Sequence, residues 1–132
     1  MRKAFHICCN QPWAITQDAL RQILAIANRE NLPIEAVETQ LGRKLDNTLT
    51  VTERGGVAII PVAGPIVRYA NLFSEISGAT SIELLARDFT TALHDPNVRA
   101  ILLNIDSPGG DINGVNELAN MVYAARGVKS IT

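Results

Sequence analysis

The chain reads as an α/β domain, with a short parallel sheet built from strand–helix–strand repeats. Three observations predict this. Residues 57–63 (Val-Ala-Ile-Ile-Pro-Val-Ala) and 100–105 (Ala-Ile-Leu-Leu-Asn-Ile) are apolar, β-rich runs of strand length. Between them Ile82, Leu85, Ala86, Phe89 and Leu93 recur at helical spacing, and beyond them Val115, Leu118, Ala119, Val122 and Tyr123 do the same. Residues 128–132 then open a third strand. Strand, helix, strand, helix, strand is the pattern of a parallel sheet with right-handed crossovers.

Composition narrows the function classes. The 132 residues are 47% hydrophobic and 19% charged, which suits a packed domain and not a disordered chain. A net charge of -1 offers no footprint for nucleic acid or an anionic membrane. The two cysteines, Cys8 and Cys9, are adjacent and lack any His or Cys at zinc-finger spacing, so they read as reduced, metal-free thiols of a cytoplasmic protein. The apolar stretch after Arg2 and Lys3 is broken by His6, Asn10 and Gln11, too short and too polar for a signal peptide or a membrane span.

Taken in order, residues 1–12 show no clear period and are expected to form an irregular arm. Thr16 is placed to cap a helix running to about Arg29, with Leu20, Ile23, Leu24 and Ala27 on one side. Pro33 suits the first turn of a second, shorter helix bearing Val37 and Leu41 and stopped near Gly42. Residues 43–56 are polar and Thr-rich and end in Gly55-Gly56, which reads as a linker or a loosely paired extended piece. The expected division is therefore an N-terminal helical arm over residues 1–50 and an α/β domain over residues 51–132.

Within that domain Pro61 marks an edge position or a bulge of the first strand, and Gly64-Pro65 ends it. Residues 68–78 form a connection with scattered apolar side chains (Tyr69, Leu72, Phe73, Ile76). Thr80 and Glu83 spell a capping box for the next helix, and Asp95-Pro96 closes it. The run over residues 100–105 is short enough for a strand buried on both faces. Ser107-Pro108-Gly109-Gly110 is expected to stop the ladder and turn the chain into a helix, leaving backbone N–H groups at the helix start where they meet negative charge. Arg126 falls in the last turn of that helix and Gly127 at its C′ position.

The sequence Ile-Asp-Ser-Pro-Gly-Gly-Asp-Ile-Asn-Gly-Val at residues 105–115 resembles the signature of the ClpP/crotonase-fold serine peptidases, and within them the S49 family of signal peptide peptidase A and the phage head-maturation proteases. The resemblance covers residues 57–132. Residues 71–78, 86–89 and 114–119 look like the phage branch. It implies an incomplete ClpP/crotonase-like core of repeated β-β-α and βαβ units, protein or peptide substrates, ring-like homo-oligomers and no cofactor or metal. It also implies that Gly110, with Gly109 shaping the turn and Asp111 beside it, supplies part of an oxyanion hole. An N–H fixed on the oxyanion of a tetrahedral intermediate is worth about 3 kcal/mol. The bland alternative is that Pro-Gly-Gly makes a tight turn and nothing more.

Other candidates are weaker. Ser107 is rejected as nucleophile because no general base lies near it in sequence. The family's nucleophile belongs to an Ala-Ser-Gly/Ala-Gly/Ala-Tyr-like segment after the next strand, and its base is a lysine further on. Both are expected beyond Thr132, so the chain alone is expected to be inactive. Lys129 reads as a solvent-facing lysine at a strand start. Asp111 is expected to cap the following helix and Asp106 to bond local N–H groups. His6 and His94 lack ligand partners, and His94 suits the C-terminal end of a helix. No phosphate-binding glycine fingerprint is present. Two other function classes stand beside the peptidase: a non-catalytic assembly or binding module pairing through an open strand at residues 128–132, and a crotonase-type acyl-CoA enzyme using the same glycine amides for an enolate.

Overall fold

The computed structural model describes residues 3–28, 51–69 and 78–132. The chain begins with helix α1 (Lys3–Cys9), strand β1 (Trp13–Ile15) and helix α2 (Gln17–Ala27). Then come strands β2 (Thr52–Arg54), β3 (Val57–Ala63), β4 (Ile66–Val67) and β5 (Thr80–Ser81), helix α3 (Ile82–His94) and strands β6 (Ala100–Asp106) and β7 (Gly109–Asp111). Helix α4 (Val115–Ala125) and strand β8 (Ser130–Ile131) complete the described elements.

Two mixed sheets carry the strands, in the orders β2-β3-β6-β8 and β1-β7-β4-β5. In the first, β3, β6 and β8 are parallel and are joined through α3 and α4, the expected crossover pattern, while β2 adds antiparallel to β3 through the Gly55-Gly56 turn. The loosely paired piece before Val57 is thus a strand. Pro61 lies past the reach of β2, whose partners end at Ile59, so it has β6 on one side and no ladder to break on the other.

Alternation decides the core. Ala58, Ile60 and Val62 of β3 are buried and meet Leu85, Phe89 and Ala92 of α3, Ile101 of β6, Val98 and Ala125 of α4. Phe89 is fully buried. The second strand is not buried on both faces as expected: Ile101 is buried, Ala100, Leu102 and Leu103 are half-buried, and Asn104, Ile105 and Asp106 are exposed. β8 pairs with Ala100 and Ile101, and Thr132 carries the contact on to Leu103, whose N–H donates to the Thr132 carbonyl at 2.8 Å.

Several local expectations shift. Residues 3–9 are helical, not irregular, and α2 starts after Thr16 as expected, although the Thr16 hydroxyl makes no cap bond. The cap of α3 lies one residue later than the Thr80–Glu83 box: Ser81 Oγ accepts from the Leu84 N–H at 3.3 Å. Thr80 is engaged elsewhere. Its buried Oγ1 donates to the Ala63 carbonyl (2.7 Å) and accepts from the Ala63 N–H (3.0 Å), which ties β5 to the end of β3. Asp95 is extended and ends α3 before Pro96, as expected. Lys129 is half-buried, not solvent-facing, and its Nζ donates to the carbonyls of Ala92 (2.9 Å) and Asp95 (2.6 Å) at the C-terminal end of α3. His94 Nδ1 is 2.8 Å from the Thr90 carbonyl oxygen in the last turn of the same helix. The Pro33 helix and most of the residue 68–78 connection lie outside the described residues, as does the domain boundary near residue 50.

Candidate functional site

Residues 106–115 leave the first sheet and build part of the second. Asp106 ends β6, its carbonyl accepting from the Gly64 N–H at 3.0 Å, and Ser107 and Pro108 carry the chain across. The expected glycine turn into a helix does not occur. Gly109, Gly110 and Asp111 are themselves a strand, with β1 antiparallel on one side and β4 parallel on the other. Helix α4 starts only at Val115, with Gly114 at its N-cap in the left-handed region (φ 87°). The amides of Gly109 and Gly110 are therefore sheet and turn donors, not groups at a helix start.

The hydrogen-bond pattern settles where those amides point. Thr16 N–H donates to the Pro108 carbonyl (3.2 Å) and Ile112 N–H to the Pro12 carbonyl (3.1 Å). Antiparallel ladders alternate bonded and non-bonded pairs, so Ala14 and Gly110, directly opposite in the register, are the bonded pair between them. Gly110 N–H thus donates to the Ala14 carbonyl and the Ala14 N–H returns the bond. Gly109 N–H donates to Ser107 Oγ at 3.2 Å. The Gly110 amide, expected to face a substrate carbonyl, is engaged in the sheet, and the amide of Gly109, expected to shape the turn, is engaged in the bend.

Close backbone approach explains the residue type at both positions. Gly109 has φ 110°, and a Cβ there would overlap the Ala14 carbonyl oxygen. A Cβ on Gly110, which is buried, would overlap the Ile66 main chain. Three strands meet at a spacing that only glycine permits.

The flanking polar residues support the loop. Ser107 Oγ also donates to the Gly109 carbonyl (3.3 Å), so the hydroxyl is turned into its own bend. Asp111 is buried and does not cap α4. Its Oδ1 accepts from the Asn113 N–H (2.9 Å) and from Asn113 Nδ2 (2.7 Å), an Asx turn two residues long. Asn113 Nδ2 further donates to Gln11 Oε1 at 3.1 Å, which ties the segment before β1 to the loop after β7. The Asp106 side chain is exposed.

A shallow groove of about 290 Å³ runs between α3 and α4, lined by Arg68, Ile82, Ala86, Gly114, Leu118 and Met121 among others. It does not include Gly109, Gly110 or Asp111. Among the described residues no group of three or more His, Cys, Asp or Glu side chains is placed to hold a metal ion, and no helix is long and apolar enough to cross a membrane. Sequence reasoning missed β1 and Gln11 as parts of this region. Trp13-Ala14-Ile15 is too short a run to announce a strand, and its partner lies some hundred residues away.

No family model matches the chain. It is similar over 76 residues, 58% of its length, to two phage proteins. It is 36% identical to the head-tail preconnector protein GP5 of Enterobacteria phage P21, covering 15% of that protein. It is 32% identical to the capsid assembly protease C of Escherichia phage lambda, covering 17% of that one. The chain thus spans about one sixth of the length of these relatives.

Proposed function

We propose that this chain is the N-terminal part of a phage head-maturation endopeptidase of the S49 type, with a ClpP/crotonase-like core. The observation that carries the reading is the similarity to the capsid assembly protease of phage lambda and the preconnector protein of phage P21, in a chain that also bears the Ser-Pro-Gly-Gly spelling of that peptidase superfamily. In this reading a serine and a lysine from outside these 132 residues carry out acyl transfer on protein substrates of the capsid, with no metal, and the whole enzyme is a homo-oligomer. Parallel β3, β6 and β8 with α3 and α4 as crossovers are consistent with such a core.

The test takes the chain together with the coding sequence downstream of codon 132 and assays it on a fluorogenic peptide series. The reading expects an Ala-Ser-Gly/Ala-Gly/Ala-Tyr-like segment and hydrolysis that is lost when its serine becomes alanine and is indifferent to chelators. Absence of the segment, or hydrolysis abolished by chelation, refutes it. A second reading, a non-catalytic assembly module, is favoured by the name of the P21 relative. It expects no hydrolysis by the extended protein and a defined oligomer by light scattering.

A further inference from the structure

The seat beside β7 is already taken. A peptide whose carbonyl is to be held by the Gly110 N–H has to take the edge of β7 on which that N–H points, and that is where β1 lies, with the Ala14 carbonyl on that donor. We propose that β1 is an internal occupant of the peptide-binding edge of β7, so that residues 11–16 block the edge until they are displaced by another extended chain. The inference rests on the peptidase reading for the meaning of the edge, and on the geometry alone for its occupancy.

Three observations carry it. First, β1 gives β7 its main chain rather than its side chains. Trp13 and Ile15 pack with Cys8, Ile23, Leu24 and Ala27 in a cluster separate from the main core, and the Ala14 side chain is exposed. An incoming strand of different sequence makes the same main-chain bonds, which is the logic of strand addition. Second, the tie is small. Among the described residues the hydrogen bonds that tie β1 to the body are those of a three-residue ladder, its two flanking bonds at Thr16 and Ile112, and the Asn113–Gln11 contact, while the buried cluster of the main core contains none of residues 3–28. A segment with its own small cluster and few bonds to the body opens at a fraction of the global unfolding free energy. Third, the opposite edge of β7 is held by β4, so displacement of β1 frees one edge and leaves β7 in place.

The experiment uses the 132-residue chain and a labelled peptide with the sequence of residues 10–17 (Asn-Gln-Pro-Trp-Ala-Ile-Thr-Gln). Ala14→Pro removes the N–H that bonds Gly110. Trp13→Ala leaves the ladder groups intact and removes the side chain that packs β1 on its own cluster, together with its indole bond to the Cys8 carbonyl (2.7 Å). An intramolecular strand competes at an effective concentration on the order of millimolar, so its release tightens binding of the added peptide by at least about tenfold. In Ala14→Pro the Gly110 amide exchanges faster, and addition of peptide slows it again, while amides of Phe89 and Ile101 keep their protection. Trp13→Ala shifts both readouts in the same direction.

Equal affinity for the wild type and both variants, or no binding by any, with the Phe89 and Ile101 amides protected, overturns the proposal. Loss of that protection in both variants overturns it too, since β1 would then be a structural strand of the body. The two readings fail separately. Peptide binding as described without hydrolysis by the extended protein refutes the peptidase and keeps the occupied edge. Serine-dependent hydrolysis with no change in peptide binding does the reverse.

Discussion

Replacing Gly110 by alanine probes the meeting of β1, β7 and β4 directly. The added Cβ overlaps the oxygen, nitrogen and carbonyl carbon of Ile66, and these are main-chain atoms that no side-chain rotation moves aside. β7 has to retreat from β4 or rotate away from β1. The bonds at stake are the reciprocal pair with Ala14 and the two that make the bridge to Ile66. At about 1 kcal/mol net for each buried main-chain bond the loss is about 4 kcal/mol, a large part of the 5–15 kcal/mol typical of a domain. With a urea dependence of about 2 kcal/mol per molar, the midpoint falls by about 2 M. The assay is built in, because Trp13 is the only tryptophan and sits on β1. Its emission reports the packing of β1 on the Cys8, Ile23 and Ala27 cluster, which shifts when β1 moves with β7, and circular dichroism reports the helices. A Trp13 transition within about 0.25 M of wild type, with unchanged emission in the native state, would mean that β7 accommodates a Cβ and that the close approach described here is mistaken.

Three further outcomes follow from named contacts. Thr80→Val keeps the shape but strands both the N–H and the carbonyl of Ala63, a cost of about 1–3 kcal/mol. Thr80→Ser retains the hydroxyl and loses much less in the same urea titration. Lys129→Met keeps the aliphatic stem but removes the ammonium from the carbonyls of Ala92 and Asp95 at the end of α3, costing about 1–3 kcal/mol and several degrees of Tm in a calorimetric scan. Burial, helped by the neighbouring Cys9, raises the Cys8 thiol from an ordinary 9.0 to about 11. The unfolded chain therefore loses this proton first as pH rises. Stability from Cys8 is complete below pH 9 and declines by about 2–3 kcal/mol through pH 11, a decline that Cys8→Ala removes when Trp13-monitored unfolding is compared at pH 8 and 11.

Local signals carried much of the architecture. Strands β3 and β6 announced themselves as apolar β-rich runs, and α3 and α4 as 3.6-residue stripes, because alternation and helical period are written into neighbouring residues. The end of α3 at Asp95-Pro96 was legible for the same reason, since proline acts on the residue before it. The start of α3 was misplaced by one residue because Thr80 and Ser81 are both competent caps. The choice fell to Ala63, seventeen positions away, whose N–H and carbonyl both bond Thr80. Lys129 looked like a surface lysine for want of any local sign that the last turn of α3 would pass over it.

The candidate region shows the same division at its sharpest. That glycine is required at positions 109 and 110 was evident from the residues alone, and so was an abrupt change of chain direction after Asp106. What those glycines accommodate was not. Only the assembled fold brings Ala14 against Gly110 and Ile66 against its other side, so that the Gly110 amide expected to stand open is a donor within a sheet. Short-range chemistry prescribes which backbone shapes a segment adopts. Which distant strand then occupies an edge depends on pairings across a hundred residues, and no neighbouring residue encodes them.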